Sequence, residues 1–512
     1  MKYKIYIILI VFLTLTSCDQ FLEEQPYDFL SEANFPETAE DGRIALNGVY
    51  DIFGNNSIRG YAYVLNNCAD NDFSSYGAKL TSSYGLYQNF NRTSADGYPK
   101  SLWIDLYSAI NSCNFVIDVT ESKGFTGGDQ LIAEAKALRA FFYIELTNTF
   151  GDAPLKVHNT TGLNELDKSR TSVDEIRQQC IEDLNYAETT MEKYPSTYAV
   201  YSKGGLLTLG AVKMIKAHLY MYMSGWRRSW DGQMIAGDES YWTEVRDLCQ
   251  EIIDMGVYEL EPDYTNIFKD LYLDIYNKES IWEIDFSMPE NGSNLPNALT
   301  APKYGAGHAG GFGNLRSTID FYDSFDTLDV RRNWTVGTGK FTGYVFTEKS
   351  QVRRPYVNKF RKVEGNGDHA SKTPYNTPIY RFSDVYLMLA EALNEINNGP
   401  TQEAYDAINM VRYRARPDDH KADGLVLADL QGLDYDSFKT AIIDERAHEL
   451  AFEGFRRMDI IRWGIFMDRI KMVNDEFYRM NKESNVREYH MLFPIPLEEL
   501  NQNPEWDQNN GW

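Results

Sequence analysis

Cysteine and histidine are scarce in this chain, five and seven among 512 residues. The cysteines (Cys18, Cys68, Cys113, Cys180 and Cys249) are far apart and form no CxxC pair. The sequence therefore supports no metal site and specifies no disulfide. His448-Glu449 starts like a zinc-binding HExxH motif, but Phe452 stands where the second histidine is needed. Basic charge is also short: 50 Lys and Arg against 75 Asp and Glu give a formal net charge of −25. That excludes nucleic acid as a partner, because phosphate recognition needs concentrated cations. No apolar run is long. The one near the start, Ile5 to Leu15, falls short of the roughly 20 residues that span a bilayer. A phosphate-cradling loop is missing too. Gly305, Gly307 and Gly310 satisfy GxGxxG, but Thr300-Ala-Pro-Lys precedes them instead of a hydrophobic strand. No cofactor is implied. With 75 acids, candidate carboxylate pairs such as Asp70 and Asp72 arise by chance, so a glycoside hydrolase stays a remote alternative to a non-enzymatic protein.

What the chain does have is aromatic side chains, with 35 tyrosines and 9 tryptophans. They serve cores and also sugar- or base-stacking surfaces. It also carries an address. Lys2 and Lys4 precede the apolar run, and Leu15-Thr16-Ser17-Cys18 follows it. Small residues before a cysteine at that place are similar to a bacterial lipoprotein box. Residues 1–17 then read as signal peptide, Cys18 as the lipidated first residue, and 18–36 as a tether.

Helical periodicity recurs over 38–53, 101–119, 131–150, 172–194, 206–224 and 241–255, and again over 383–397, 402–416 and 436–463. The first of these places Ile44, Ala45, Gly48, Val49 and Ile52 on one face. Ser172 with Glu175 forms a capping-box signature, and Ser383 is placed as an N-cap. Ala133, Ala137 and Ala140 would let helices approach closely. Helix pairs at this spacing suggest degenerate tetratricopeptide-like units. Residues 257–380 are irregular, with a strand at Ser280–Phe286 holding Trp282 in the core. The expected fold is mainly α: a helix-pair scaffold, a loop-rich part and a few short strands. The expected division is an N-terminal half over 37–256 and a C-terminal half over 257–512, packed as one unit.

The stretch from Asp444 to Trp463 organises the rest. Read as one helix, it carries an apolar face (Ile443, Ala447, Leu450, Ala451, Gly454, Met458, Ile461) and a charged one (Arg446, Glu449, Glu453, Arg456, Arg457). Glu453 and Arg457 stand four apart in the favourable order. Converging acids and arginines admit a catalytic reading. A structural ion network between packed helices is the expected one.

Several motifs together resemble the SusD/RagB family of outer-membrane lipoproteins of Bacteroidetes. They include the lipobox followed by Asp19, Phe21-Leu22, Glu23-Glu24 and Pro26, and Trp103-x-x-Leu106-Tyr107-x-x-Ile110. They continue with Ala133-Glu-Ala-Lys-Ala-Leu-Arg-Ala-Phe-Phe-Tyr143 and Phe150-Gly-Asp-Ala-Pro-Leu155. Later come Tyr380 to Glu391, Val411-Arg412-x-Arg414, the ER-x-x-EL-x-x-EG-x-R pattern starting at Glu445, and a PIP…QNNGW tail in which Asn510 replaces the usual proline. The resemblance implies capture of nutrient at the cell surface and delivery to a SusC-like TonB-dependent transporter, with this protein as its lid. It implies an outer-membrane lipid anchor facing the exterior, and a glycan ligand, with peptide capture as the alternative.

Two loops meet the requirements of glycan binding, namely aromatic faces for sugar rings and polar groups for hydroxyls. Residues 54–97 are rich in Asn, Ser, Gly and Tyr. A second loop over 304–316 combines glycines with Tyr304, His308, Phe312, Asn314 and Arg316. Tyr84, Tyr87 and Phe312 are the expected stacking residues; Asp70, Asp72 and Arg316 are the expected polar contacts. No tryptophan occurs in either loop, which argues against a starch-like ligand. Trp226 and Trp230 offer an alternative platform.

Overall fold

The computed structural model describes residues 35–55, 57–58, 60, 74–76 (backbone only), 90–162, 169–201, 203–289, 291–302, 310–348, 355–365, 372–473 and 482–512. Cys18, Cys68, Asp70, Asp72, Tyr84 and Tyr87 lie outside these residues, as do Tyr304 and His308.

The first helix, α1 (Ala39–Asp51), opens on a reciprocal cap. The Thr38 hydroxyl accepts from the Asp41 N–H at 3.1 Å, and the Asp41 carboxylate accepts from the Thr38 N–H at 3.0 Å. This satisfies two donors that a helix start otherwise leaves open. Its buried stripe is Gly42, Leu46 and Val49, with Ala45 and Ile52 packed beside it; of the face expected from sequence, Gly48 is exposed and Ile44 is 54 % exposed. Close approach is the reason. A Cβ at position 42 would lie 2.6 Å from Leu131, so the glycine, not the larger isoleucine, faces the neighbouring helix.

Helices α2 (Gly97–Lys123), α3 (Gly128–Phe150), α4 (Val173–Met191), α5 (Leu209–Ser224) and α6 (Trp242–Asp254) follow, each packed on its predecessor. On α3, Ala133, Ala137 and Ala140 are fully buried, as their small size requires for close packing. Ser172 caps α4: its hydroxyl accepts from the Glu175 N–H at 3.3 Å and donates to the Glu175 carboxylate at 3.0 Å. Trp282 is core, 2 % exposed.

After α6 the chain leaves the helical stack for more than a hundred residues. It returns as α8 (Phe382–Asn397), which packs directly on α6; α9 (Gln402–Arg414) and α10 (Tyr435–Leu450) then pack on α8. Ser383 is not the cap of α8. Arg381 holds that position, and the Ser383 hydroxyl accepts from its guanidinium at 2.8 Å.

The excursion is less irregular than its sequence suggested. It contains a further helix, α7 (Tyr264–Leu273), and most of the ten short strands among the described residues: β1 (Ser74–Tyr76), β2 (Arg227–Arg228), β3 (Met234–Ile235), β4 (Ser280–Ile284), β5 (Leu315–Ser317), β6 (Val336–Gly337), β7 (Gly339–Thr342), β8 (Val345–Glu348), β9 (Tyr356–Val357) and β10 (Thr377–Arg381). Antiparallel β4 and β10 close its stem. A four-stranded sheet in the order β1-β5-β9-β6 forms its centre, and β7–β8 is a hairpin beside it. The main core draws on both halves of the chain, from Leu46 to Ile495, while α7 and the central sheet enclose a second core.

The single helix expected over 436–463 breaks. After α10, Phe452 (φ 67) and Gly454 (φ 100) turn the chain, and α11 (Arg456–Arg462) runs on from there. Glu453 and Arg457 therefore do not meet across a helical turn. Glu453 accepts from Lys359 at 2.5 Å and from Arg381 at 2.8 Å, while Arg457 donates to the carbonyls of His490 and Met491. Tertiary ion pairing has outweighed the local pair, which is worth only about 0.2–0.5 kcal/mol on a helix surface.

Candidate functional site

The excursion is fastened to the stack by buried charge. Five carboxylates (Glu279, Asp329, Glu445, Glu449, Glu453) face five cations (Arg331, Lys359, Arg381, Arg412, Arg414). Glu449 lies at the centre. It accepts from Arg381 at 2.9 Å, Arg414 at 2.5 Å and Arg331 at 3.1 Å. Burial alone would raise its pKa, but three guanidiniums hold it well below the ordinary carboxylate range. Lys359, equally buried, is pushed down to about 8 by desolvation and still donates to Glu453 and to the carbonyls of Glu449 and Ala451. A second group joins α5, α8, α10 and α11: Arg446 to Asp384 and Asp459, His218 to Asp384, and Arg462 to Glu391 and Asp459. Every carboxylate of both groups is paired and buried, as an architectural network requires.

On that foundation, the loops singled out from sequence meet through their backbones. β1 pairs antiparallel with β5, in the register Ser74↔Ser317, Ser75↔Arg316 and Tyr76↔Leu315. The segment that includes Asp70, Asp72, Tyr84 and Tyr87 is thus tied at 74–76 to the strand that carries Arg316. Those four residues themselves lie outside the described part.

Phe312 and Arg316 are described in full. Phe312 is 73 % exposed on a well-anchored backbone. Its N–H donates to Asn297 O at 2.6 Å, and the N–H groups of Gly311 and Asn314 donate to Ala301 and Ala298 carbonyls at 3.0 Å each. A Cβ on Gly311 would lie 2.5 Å from Asn297 O. Gly313 adopts φ +60, and a Cβ there would meet the Tyr356 ring at 2.7 Å. The strap is clamped flat on both sides of Phe312, and its ring faces solvent. Arg316 is held by stacking: its guanidinium lies 3.5 Å from the Tyr356 ring centroid, and its Nε donates to Gly313 O at 3.1 Å. Tyr356, buried on β9, is the support that sequence reading missed. A lone tyrosine after Arg353-Arg354-Pro355 carries no signal of its partner.

The alternative platform is less free. Trp226 is 43 % exposed, and its backbone N–H donates to Arg462 O at 2.8 Å. Trp230 is half-buried with the Arg170 guanidinium 5.6 Å from its ring centroid. Cys113, Cys180 and Cys249 are buried free thiols. Among the described residues no group of three or more His, Cys, Asp or Glu is placed to hold a metal ion, and no helix is long and apolar enough to cross a membrane.

A succession of packed helices, with a loop-rich lobe keyed into it by buried ion pairs, defines a helical-repeat scaffold that carries exposed loops. Comparison with known proteins agrees. The SusD family matches residues 333–512, and the family described as "Starch-binding associating with outer membrane" matches residues 20–203. A SusD-like protein of Formosa agariphila is 29% identical over 99% of both chains. The crystal structure of a SusD homolog from Bacteroides thetaiotaomicron superposes with a TM-score of 0.82 at 23% identity, covering 94% of this chain and 98% of that one. Surface glycan-binding protein A of the same organism, solved in complex with laminarihexaose, superposes with a TM-score of 0.73 at 23% identity over 92% of this chain and 100% of its own. The chain is thus similar to SusD-like proteins along nearly its whole length, with SusD-type family matches at both ends.

Proposed function

We propose that this protein captures oligo- or polysaccharide at the cell surface, held at the outer membrane through lipid on Cys18, and delivers it to a SusC-like TonB-dependent transporter that it covers as a lid. The observation that carries the reading is the strap: Phe312 presented to solvent on a rigid backbone, four residues from a guanidinium locked on Tyr356. Sugar rings offer flat C–H faces to such a ring, and their hydroxyls need fixed polar partners. The β1–β5 ladder supports Asp70, Asp72, Tyr84 and Tyr87 as further contacts, because it ties their loop to the same strand. The laminarihexaose complex of a structurally similar protein supports the ligand class. Nothing in this arrangement calls for turnover, and the protein acts by binding.

The test is an array of glycans and peptides probed with the non-lipidated mature chain, followed by an assay for cleaved product. Retention of a glycan without cleavage is the expected result. Retention of peptides alone would replace the ligand class, and released product would overturn the non-catalytic reading.

A further inference from the structure

A second surface with sugar-binding chemistry lies away from the strap. It is a groove of about 670 Å³ between α2, the segment 154–160 that follows α3, and the C-terminal stretch 499–506. None of its lining residues comes from the loop-rich excursion, and its aromatic residues pack on the main core. Its volume lies within the range of ordinary ligand sites, roughly 300–1,000 Å³.

Three rings build its wall. Trp103 lies 5.0 Å from Tyr107 and 6.4 Å from Trp506, ring centroid to centroid. Trp103 is buried, and the half-buried Tyr107 and Trp506 supply the open aromatic surface. The Tyr107 hydroxyl donates to Pro154 O at 2.9 Å, which fixes that ring. The Trp506 indole N–H is buried and has no acceptor among the described residues. Polar capacity remains around the rings. The side chains of Ser108, Thr160 and Gln502 make no hydrogen bond to any other described residue. Glu499 lines the same groove, and partial burial raises its pKa although the Trp103 indole opposes the shift. A carboxylate has about four acceptor positions, so Glu499 has room for more donors.

Aromatic faces beside an under-satisfied carboxylate and unused hydroxyl and amide groups suit a ring that is apolar on its faces and hydroxylated at its rim. We propose that this groove is a second saccharide-binding site, which takes a short stretch of a neutral glycan chain with Tyr107 and Trp506 stacking and Glu499 accepting from adjacent hydroxyls. Half-buried Glu499 repels a second negative charge, which favours a neutral chain, although Lys156 also lines the groove. The proposal rests on the glycan reading of the strap for its ligand class, but it occupies different residues. A chain with two such sites grips a long polysaccharide at two points, which raises avidity without any new contact.

The test is calorimetry on the mature chain with laminarihexaose, cellohexaose, xylohexaose, mannohexaose and maltohexaose as probes, using parent, Trp506→Ala, Glu499→Gln and Phe312→Ala. The parent is expected to bind two equivalents of at least one probe. Trp506→Ala should abolish one of them, and Phe312→Ala should weaken the other. Glu499→Gln keeps the packing and should weaken the groove about tenfold, which guards against misfolding of the tryptophan variant. A single equivalent that Trp506→Ala and Glu499→Gln leave untouched overturns the groove and spares the strap. A single equivalent lost with Trp506→Ala and indifferent to Phe312→Ala supports the groove and overturns the strap. Absence of binding to every probe overturns the groove.

Discussion

Phe312 and Glu449 mark the two extremes of what a side chain does here. Phe312 contributes almost nothing to the core, so Phe312→Ala should leave the melting temperature unchanged while weakening glycan affinity about tenfold, the effect of losing roughly 1.4 kcal/mol of stacking. Calorimetry beside thermal denaturation checks both halves of that statement. Glu449 is fully buried among three guanidiniums. Its removal leaves buried charge without a counter-charge, so Glu449→Ala should cost about 3–5 kcal/mol in urea denaturation. Any loss of binding in that variant should scale with the fraction unfolded, since Glu449 does not line the strap. Glu283 behaves in the opposite sense. Burial raises its carboxyl from the ordinary 4.5 to about 7. In the folded chain it holds a proton that the unfolded chain releases above about pH 4.5, so the stability it contributes is lost as pH rises to 7. Glu283→Gln should therefore stabilise by about 1–3 kcal/mol at pH 8 and change little at pH 4.

At the scale of elements, small residues and chain turns decide where function can sit. The strap stays flat because Gly311 lies against the carbonyl oxygens of Pro296, Asn297 and Thr300, on and just after the short helix Leu295–Leu299. Gly311→Ala should displace the strap and lower glycan affinity several-fold with a modest fall in melting temperature, a combination that Phe312→Ala does not produce. The break between α10 and α11 has a similar logic. As one straight helix this segment would pair Glu453 with Arg457. The turn at Phe452–Gly454 delivers Glu453 to Lys359 and Arg381 instead, so the later part of the excursion is locked to the stack. The tail is a third such fastening. Asn509 donates to Phe150 O at 2.9 Å and Phe493 O at 2.8 Å, and Arg170 donates to its side-chain oxygen at 2.7 Å.

For the whole molecule, the buried network sets the response to acid. Asp384, Glu391, Glu445 and Glu449 all hold their pKa values below the ordinary range, because burial is outweighed by the guanidiniums beside them. Their contribution is complete above the unfolded-state values and disappears as pH falls through the lowered ones. His448 adds an earlier onset: burial holds it down to about 4, so the unfolded chain gains a proton below 6.5 that the folded chain refuses. In a Glu283→Gln background, which removes the opposing titration of that carboxyl, stability should decline gently from about pH 6.5 and steeply below about 4.5; urea midpoints taken from pH 8 to 3 trace that curve. At the same scale, Cys18→Ala should move the protein from the membrane fraction into the soluble one, and membrane retention of that variant would refute the lipid anchor.

The helical stack was legible in the sequence because it depends on short-range periodicity and caps: Ser172 acts within a few residues of where it stands, and the alanines of α3 recur at close spacing along one segment. The resemblance to SusD-type proteins, too, was legible, since its motifs are mostly structural and lie in short contiguous stretches. Tertiary structure decided what depends on distant partners. The buried face of α1 depends on Leu131, the break after α10 on Lys359 and Arg381, and the fixed guanidinium of Arg316 on Tyr356. An ion pair or a stacked ring has no period, so partners tens to hundreds of residues apart leave no local pattern. For the same reason the groove of Trp103, Tyr107 and Trp506 exists only once the tail has folded back beside α2.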